Sequence, residues 1–150
     1  MPKQLMFRIK ERLGDVIFQI QERSGKRIYM SAHKSDLKLV AKAFRDEFGG
    51  RFLTASGIDN GKNLEILYHF SFDDLNKIIS IRTFVEKPSS SIDSIASVVG
   101  PAAEWIEREM HEFLGIEFTG HPDLKHLLLP QDWPAGRYPL RRGFKWLARQ

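Results

Sequence analysis

The 150-residue chain contains no cysteine. Within these residues that excludes disulfides, thiolate-held iron–sulfur clusters, cysteine zinc sites and thiol nucleophiles together. Any part in electron transfer is then indirect. Long apolar runs are missing too, and none approaches the roughly 20 residues that a helix needs to cross a bilayer. Met1-Pro2-Lys3-Gln4-Leu5 lacks the apolar stretch and small residues of a secretory signal, so the chain is expected to stay in the cytoplasm. No Gly-rich phosphate loop is found, because Gly57-Ile58-Asp59-Asn60-Gly61-Lys62 falls between strand patterns and does not precede a helix.

What is present suits one soluble domain. Hydrophobic residues make up 42% and charged residues 28%, and the length allows a sizeable core. Basic residues outnumber acidic ones by 23 to 19, a net charge of +4, with an isoelectric point near 9.4. Such a balance fits nucleic acid, an anionic membrane surface or an acidic protein partner. Much of the excess lies between Arg137 and Gln150, where Arg137, Arg141, Arg142, Lys145 and Arg149 meet no acidic residue. Tyr138, Leu140, Phe144, Trp146 and Leu147 are interleaved with them, which is the composition of a segment that docks, since solvated tails carry few large apolar groups.

Periodicity predicts the elements. Leu5, Met6, Ile9 and Leu13 lie at helical spacing before Gly14. Short strands are expected over Val16–Ile20 and Arg27–Ala32. Ser35 is the expected N-cap of a helix whose apolar face is Leu37, Val40, Ala41, Phe44 and Phe48. Arg51–Ile58 and Asn63–Phe72 flank Asp59-Asn60-Gly61-Lys62, whose Asn-Gly is a strong hairpin signal. Leu64, Ile66, Tyr68, Phe70 and Phe72 alternate with Glu65, Leu67, His69 and Ser71 as a half-buried strand requires. Another strand follows over Ile78–Glu86. The pattern predicts an α+β core over residues 1–87, with a mainly antiparallel sheet and helices on one face.

The composition changes at Lys87. Pro88-Ser89-Ser90-Ser91 reads as a polar linker, and Pro101 suits the first turn of a helix that stops at Leu114-Gly115. Beyond it Pro122, Pro130, Pro134 and Pro139 predict an irregular Pro-rich segment lying against a surface. Residues 88–150 are thus linker, helix and extended docking segment, forming one structural unit with the core. Along the helix, Glu104, Arg108 and Glu112 are spaced to pair on one face.

The most informative residues run from Glu107 to Arg142. Glu107-Arg108-Glu109 is followed by Leu114-Gly115-Ile116, then Gly120-His121-Pro122-Asp123-Leu124, Asp132-Trp133, and Pro139-Leu140-Arg141-Arg142. Four blocks in this order resemble the 30 kDa subunit of the respiratory NADH:quinone oxidoreductases (respiratory complex I). Leu67-Tyr68-His69-Phe70 and the Pro88–Ile95 stretch are similar more weakly. The sequence departs from that family at His111-Glu112, where Tyr-Asp is common, at Leu114 in place of Phe, and at Arg141-Arg142-Gly143-Phe144, which lacks the usual acidic residue. His111 and Leu128-Leu129-Pro130-Gln131-Asp132-Trp133-Pro134 look more like the branch found in membrane-bound energy-converting [NiFe] hydrogenases and related ferredoxin-linked complexes.

The resemblance implies a ferredoxin-like core and a non-catalytic subunit of a membrane-bound, ion-translocating oxidoreductase. It implies no cofactor in this chain, with iron–sulfur clusters and a nickel–iron site in partner subunits. The implied partners are the large catalytic subunit and the iron–sulfur subunits, and the implied location is peripheral, on the cytoplasmic face of the cell membrane. It further implies that Glu107, Arg108, Glu109, His121, Asp123, Trp133, Pro139, Leu140 and Arg141 contribute to the partner contact. Arg suits bidentate pairing and Trp an interface pocket, and prolines lower the entropy lost on docking.

Two alternatives remain open. One is the same 30 kDa subunit in an NADH:quinone oxidoreductase proper. The other, of a different class, is a small basic nucleic-acid-binding module built on the Arg137–Gln150 tail. Glu107, Glu109 and Glu112 beside the best-marked segment argue against the second. A metal site from His111, His121, His126 and Asp123 matches no common ligand spacing, and His111-Glu112 lacks the second His that a zinc-protease motif needs at Gly115.

Overall fold

The computed structural model describes residues 2–146. Helix α1 (Pro2–Leu13) buries Leu5, Ile9 and Leu13, one residue per turn of a single face. Strands β1 (Ile17–Ser24) and β2 (Arg27–Ala32) form a hairpin, and α2 (Leu37–Asp46) buries Leu37, Val40, Ala41 and Phe44 as its spacing predicts. Its N-cap position falls on Asp36, without a side-chain cap, and not on Ser35 as expected. Position 36 already carries the first carbonyl of the helix, accepting the Val40 N–H at 3.0 Å.

Strands β3 (Arg51–Asp59) and β4 (Leu64–Phe72) make the predicted hairpin, and β5 (Lys77–Val85) completes a five-stranded sheet. Its order is β1-β2-β5-β4-β3. β2 and β5 are parallel and the other three pairings antiparallel, so the α+β class with a mainly antiparallel sheet holds. In the β3–β4 turn the Asp59 carboxylate accepts the Gly61 N–H at 2.9 Å, and Asn60 Oδ1 accepts those of Lys62 and Asn63. These short polar side chains stand in for backbone acceptors.

The alternation of β4 is realised fully. Leu64, Ile66, Tyr68, Phe70 and Phe72 are buried, whereas Glu65, Leu67, His69 and Ser71 on the opposite face are half-buried. Ala55 pairs with Tyr68 and Gly57 with Ile66, which puts them on the buried face. Helix α4 (Pro101–Leu114) packs there, and a Cβ at Gly57 would come within 2.5 Å of Leu114 and 3.1 Å of Met110.

Two short elements occupy the stretch that reads as a linker. β6 (Ser91–Asp93) pairs in parallel with β7 (Glu117–Thr119), and α3 (Ala96–Val99) precedes α4. Pairing lets Ile92 and Phe118 bury themselves, which a solvated linker would not do. One hydrophobic core runs from Leu5 in α1 to Phe118 in β7. After Thr119, among the described residues, the chain has turns and extended stretches but no helix or strand.

Candidate interaction surface of the C-terminal segment

Helix α4 organises everything that follows it. It starts at Pro101, whose ring presets the first helical φ, and ends at Gly115, whose φ of +72° permits the closing bond from its N–H to the His111 carbonyl. Arg108 and Glu112, instead of pairing with each other, both reach across to the chain beyond Thr119. The Arg108 guanidinium donates to the carbonyls of Lys125 and His126 at 3.1 and 2.8 Å, and lies over the Trp105 ring. The buried Glu112 carboxylate accepts the N–H groups of Leu127, Leu128 and Leu129 at 2.9, 2.8 and 3.2 Å. Five backbone groups that no strand partners are thus satisfied by two side chains on one helix.

Glu107 points the other way, into the interior. It is wholly buried, accepting the Ser94 hydroxyl at 2.5 Å and the Ile95 N–H at 2.8 Å. Burial raises its pKa above the ordinary carboxylate value, against the lowering effect of those two hydrogen bonds. His121 lies 3.9 Å from it. The His121 Nε2–H donates to the Glu104 carbonyl at 3.0 Å and Nδ1 accepts the Asp123 N–H at 2.9 Å, a pattern that assigns the Nε2–H tautomer. The buried Tyr68 hydroxyl has no hydrogen-bond partner among the described residues. Burial, and secondarily the Glu107 charge, push its pKa well up.

The end of the segment returns across the foot of α4. The Leu140 N–H bonds the Phe113 carbonyl at 3.0 Å, and Arg141 donates to the Leu114 carbonyl while stacking on Tyr138. Tyr138 in turn lies on Gly115, where any Cβ would overlap its ring. Arg142 reaches the β3–β4 turn, its N–H and Nε donating to the Asp59 carboxylate and carbonyl at 2.9 and 3.0 Å. Lys87 bonds the same carboxylate. Burial alone would raise the Asp59 pKa, but hydrogen bonds from Lys87, Arg142 and Gly61 hold it at about 2. Trp133 donates to the Arg137 carbonyl at 2.7 Å and clusters with Phe144 and Trp146.

The nine residues expected at a partner contact therefore divide. Glu107 and His121 meet inside the protein, and the polar atoms of Arg108 and Arg141 are engaged by the chain's own backbone. Glu109 and Leu140 come together, lining a shallow groove of about 230 Å³ between β3 and α4 with Gly57, Ile106 and Phe113. Asp123 is exposed, 3.4 Å from Lys125. Trp133 and Pro139 are half-buried where the segment bends. Leu128 and Leu140 remain 64% and 58% exposed, and Trp105 and Trp146 are exposed as well. Of the basic tail, Leu147 and Arg149 lie outside the described residues.

Sequence reasoning misses Glu112, Asp59 and Tyr138 as organisers. Spacing alone puts Glu112 on an ion-pair face, and Asp59 reads only as a turn residue. A bond between positions 59 and 142 leaves no local pattern to find.

The family model described as "Respiratory-chain NADH dehydrogenase, 30 Kd subunit" matches residues 30–150. One subunit of NADH-quinone oxidoreductase from Chloroherpeton thalassium is 30% identical over 96% of this chain and 61% of its own length. The like-lettered subunit of F(420)H(2) dehydrogenase from Methanosarcina mazei is 36% identical over 61% of this chain and 58% of its own length. The chain spans about half to two thirds of the curated relatives it matches first. Among solved structures, a chain of the membrane-bound sulfane sulfur reductase, an archaeal respiratory membrane complex, superposes with a TM-score of 0.81 at 21% identity, covering 98% of this chain and 87% of its own. The trypsin-resistant fragment of Nqo5 gives 0.66 at 16% identity, covering 83% of this chain and all of the fragment. At these identities the two superpositions report the fold.

Proposed function

This chain belongs to the respiratory-chain NADH dehydrogenase 30 kDa subunit family, and on that basis we propose that it is a non-catalytic structural subunit of a complex I-like membrane-bound oxidoreductase. It packs against the large catalytic subunit through the C-terminal segment. Electron carriers, iron–sulfur clusters and any nickel–iron site reside in partner subunits, in keeping with the lack of cysteine in this chain. It is held at the cytoplasmic face of the membrane by those partners, and no described helix is long and apolar enough to cross a membrane.

One observation carries this reading. A segment without regular structure is held in shape by Arg108, Glu112, Arg141 and Asp59, yet leaves Leu128 and Leu140 standing exposed, Leu140 beside Glu109. A pre-ordered surface with projecting apolar groups loses little entropy on association, and large exposed aliphatic groups favour being covered. The presence of His111 and the Leu128–Pro134 stretch favours the ferredoxin-linked branch, which includes energy-converting [NiFe] hydrogenases. The quinone-reductase alternative is supported by the names of the curated relatives.

The test is gentle-detergent purification of the tagged protein from its host, followed by mass spectrometry and metal analysis. Co-purifying membrane subunits, iron–sulfur proteins and a large subunit support the structural role, and stoichiometric nickel selects the hydrogenase branch. A chain that emerges alone, or with nucleic acid removable by salt, refutes it.

A further inference from the structure

At the opposite edge of the sheet from the Leu140 groove lies a second, larger one. Strand β1 is the edge strand, and from Gln19 to Ser24 every residue is exposed. Helix α1 covers the β2 side of this face with Leu5, Ile9 and Leu13 but leaves β1 bare. Glu22 pairs with Ile28, and the backbone turns at Gln19, φ +51°, so Ile20 and Glu22 continue the helix-bearing face beyond α1. The result is a groove of about 780 Å³ between α1 and the β1–β2 hairpin. Met6, Phe7, Ile20 and Ile28 supply its apolar wall, with Phe7 66% exposed.

The charges around it are unbalanced. Lys3 and Lys10 stand on α1, and Lys77 lies in the floor with its side chain only 9% exposed. Against these three cations the groove lining holds one anion, Glu22. Lys77 donates to the Gly25 carbonyl at 2.7 Å and reaches Glu22, itself 62% exposed, only at 3.4 Å. An ammonium has three N–H groups, and a buried charge is costly unless well paired. One donor of Lys77 is therefore directed at whatever fills the groove.

We propose that this groove is a second docking site, taking a segment of another subunit in which Asp or Glu sits beside a large apolar residue. Its carboxylate pairs with Lys77, with Lys3 and Lys10 at the rim, and its apolar neighbour packs on Phe7 and Ile20. A lipid chain fits less well, because its methylenes would lie against the Lys77 ammonium. The free edge of β1 also offers unpaired backbone groups to an extended peptide. Resting on the structural-subunit reading, this makes the chain a bridge, one partner at the β3 edge and another at the β1 edge.

The photoreactive residue p-benzoylphenylalanine, placed at position 7 in one variant and at position 140 in another, tests this in the assembled complex. From position 7 the expected adduct, identified by peptide mass spectrometry, is an acidic-apolar segment of a different subunit. Lys3→Glu combined with Lys10→Glu should reduce that adduct about tenfold or more, leaving the one from position 140 intact. A lipid adduct, an adduct insensitive to the charge reversal, or none at position 7 while position 140 cross-links, each overturns the second site alone. Failure at both positions overturns this inference and the structural-subunit reading together.

Discussion

Glu107 Oε2 lies 3.9 Å from His121 Nε2 with both side chains fully excluded from solvent. The contact ties the middle of α4 to the first turn of the C-terminal segment, while the same carboxylate holds Ser94 and Ile95 ahead of α3. Glu107 is therefore an internal anchor, and its influence on any partner is exerted through the shape of the segment it helps to hold.

Glu107→Ala should destabilise the protein by about 2–4 kcal/mol, because two buried donors lose their acceptor and a cavity opens. Glu107→Gln, which keeps an acceptor oxygen, should cost less, about 1 kcal/mol. Urea unfolding at neutral pH measures both.

The raised pKa of Glu107 also sets a pH dependence. The folded state holds the proton more tightly than the unfolded chain, so the contribution is complete below the unfolded value, near 4.5, and is lost as pH rises through the folded pKa. Unfolding free energy of Glu107→Gln, followed upward from about pH 4.5, should fall less than that of the wild type.

Asp59 works in the opposite sense. Its folded pKa of about 2 lies below the ordinary 3.8, so its contribution is present above 3.8 and disappears as pH falls toward 2. Asp59→Ala should remove this acid sensitivity and free the Arg142 amide, at a cost of roughly 1–3 kcal/mol. Hydrogen exchange at Arg142 reports the release directly.

Gly115→Ala places a Cβ against the Tyr138 ring and forces a left-handed backbone on a residue that resists it. A loss of about 1–2 kcal/mol is expected, together with displacement of Leu140 and weaker complex assembly on native gels.

Arg108→Glu should impair assembly more than folding. The reversal puts a carboxylate against the carbonyls of Lys125 and His126, detaching the segment from α4 while the core stays intact. Normal assembly of a stable Arg108→Glu protein would exclude the segment from the partner contact. Leu140→Asp, at an exposed position, should leave thermal stability unchanged and weaken assembly.

Several elements are legible in the sequence because their causes are local. Pro101 and Gly115 bound α4 through the φ values they favour, and the alternation from Leu64 to Phe72 can bury only one face of a strand. Leu37, Val40, Ala41 and Phe44 specify a helix face without reference to what covers it. The Pro88–Ile95 stretch reads wrongly as linker because three-residue strands carry too short a period to register, and Ser91–Asp93 becomes a strand only when Glu117–Thr119 lies beside it.

By itself, then, the sequence determined the class of the fold, the ends of its main helix, the absence of thiol chemistry and the blocks that mark the family. These follow from backbone preferences, side-chain periodicity and composition, which act over a few residues. Tertiary structure alone decided which charged residues face inward. Glu107 and Arg108 are adjacent in sequence, yet one is sealed in the core and the other clasps a loop. The reason is that a charged side chain takes its partners from whatever backbone donors and acceptors the rest of the chain leaves unpaired nearby. Asp59 finds Arg142 across 83 positions in the same way.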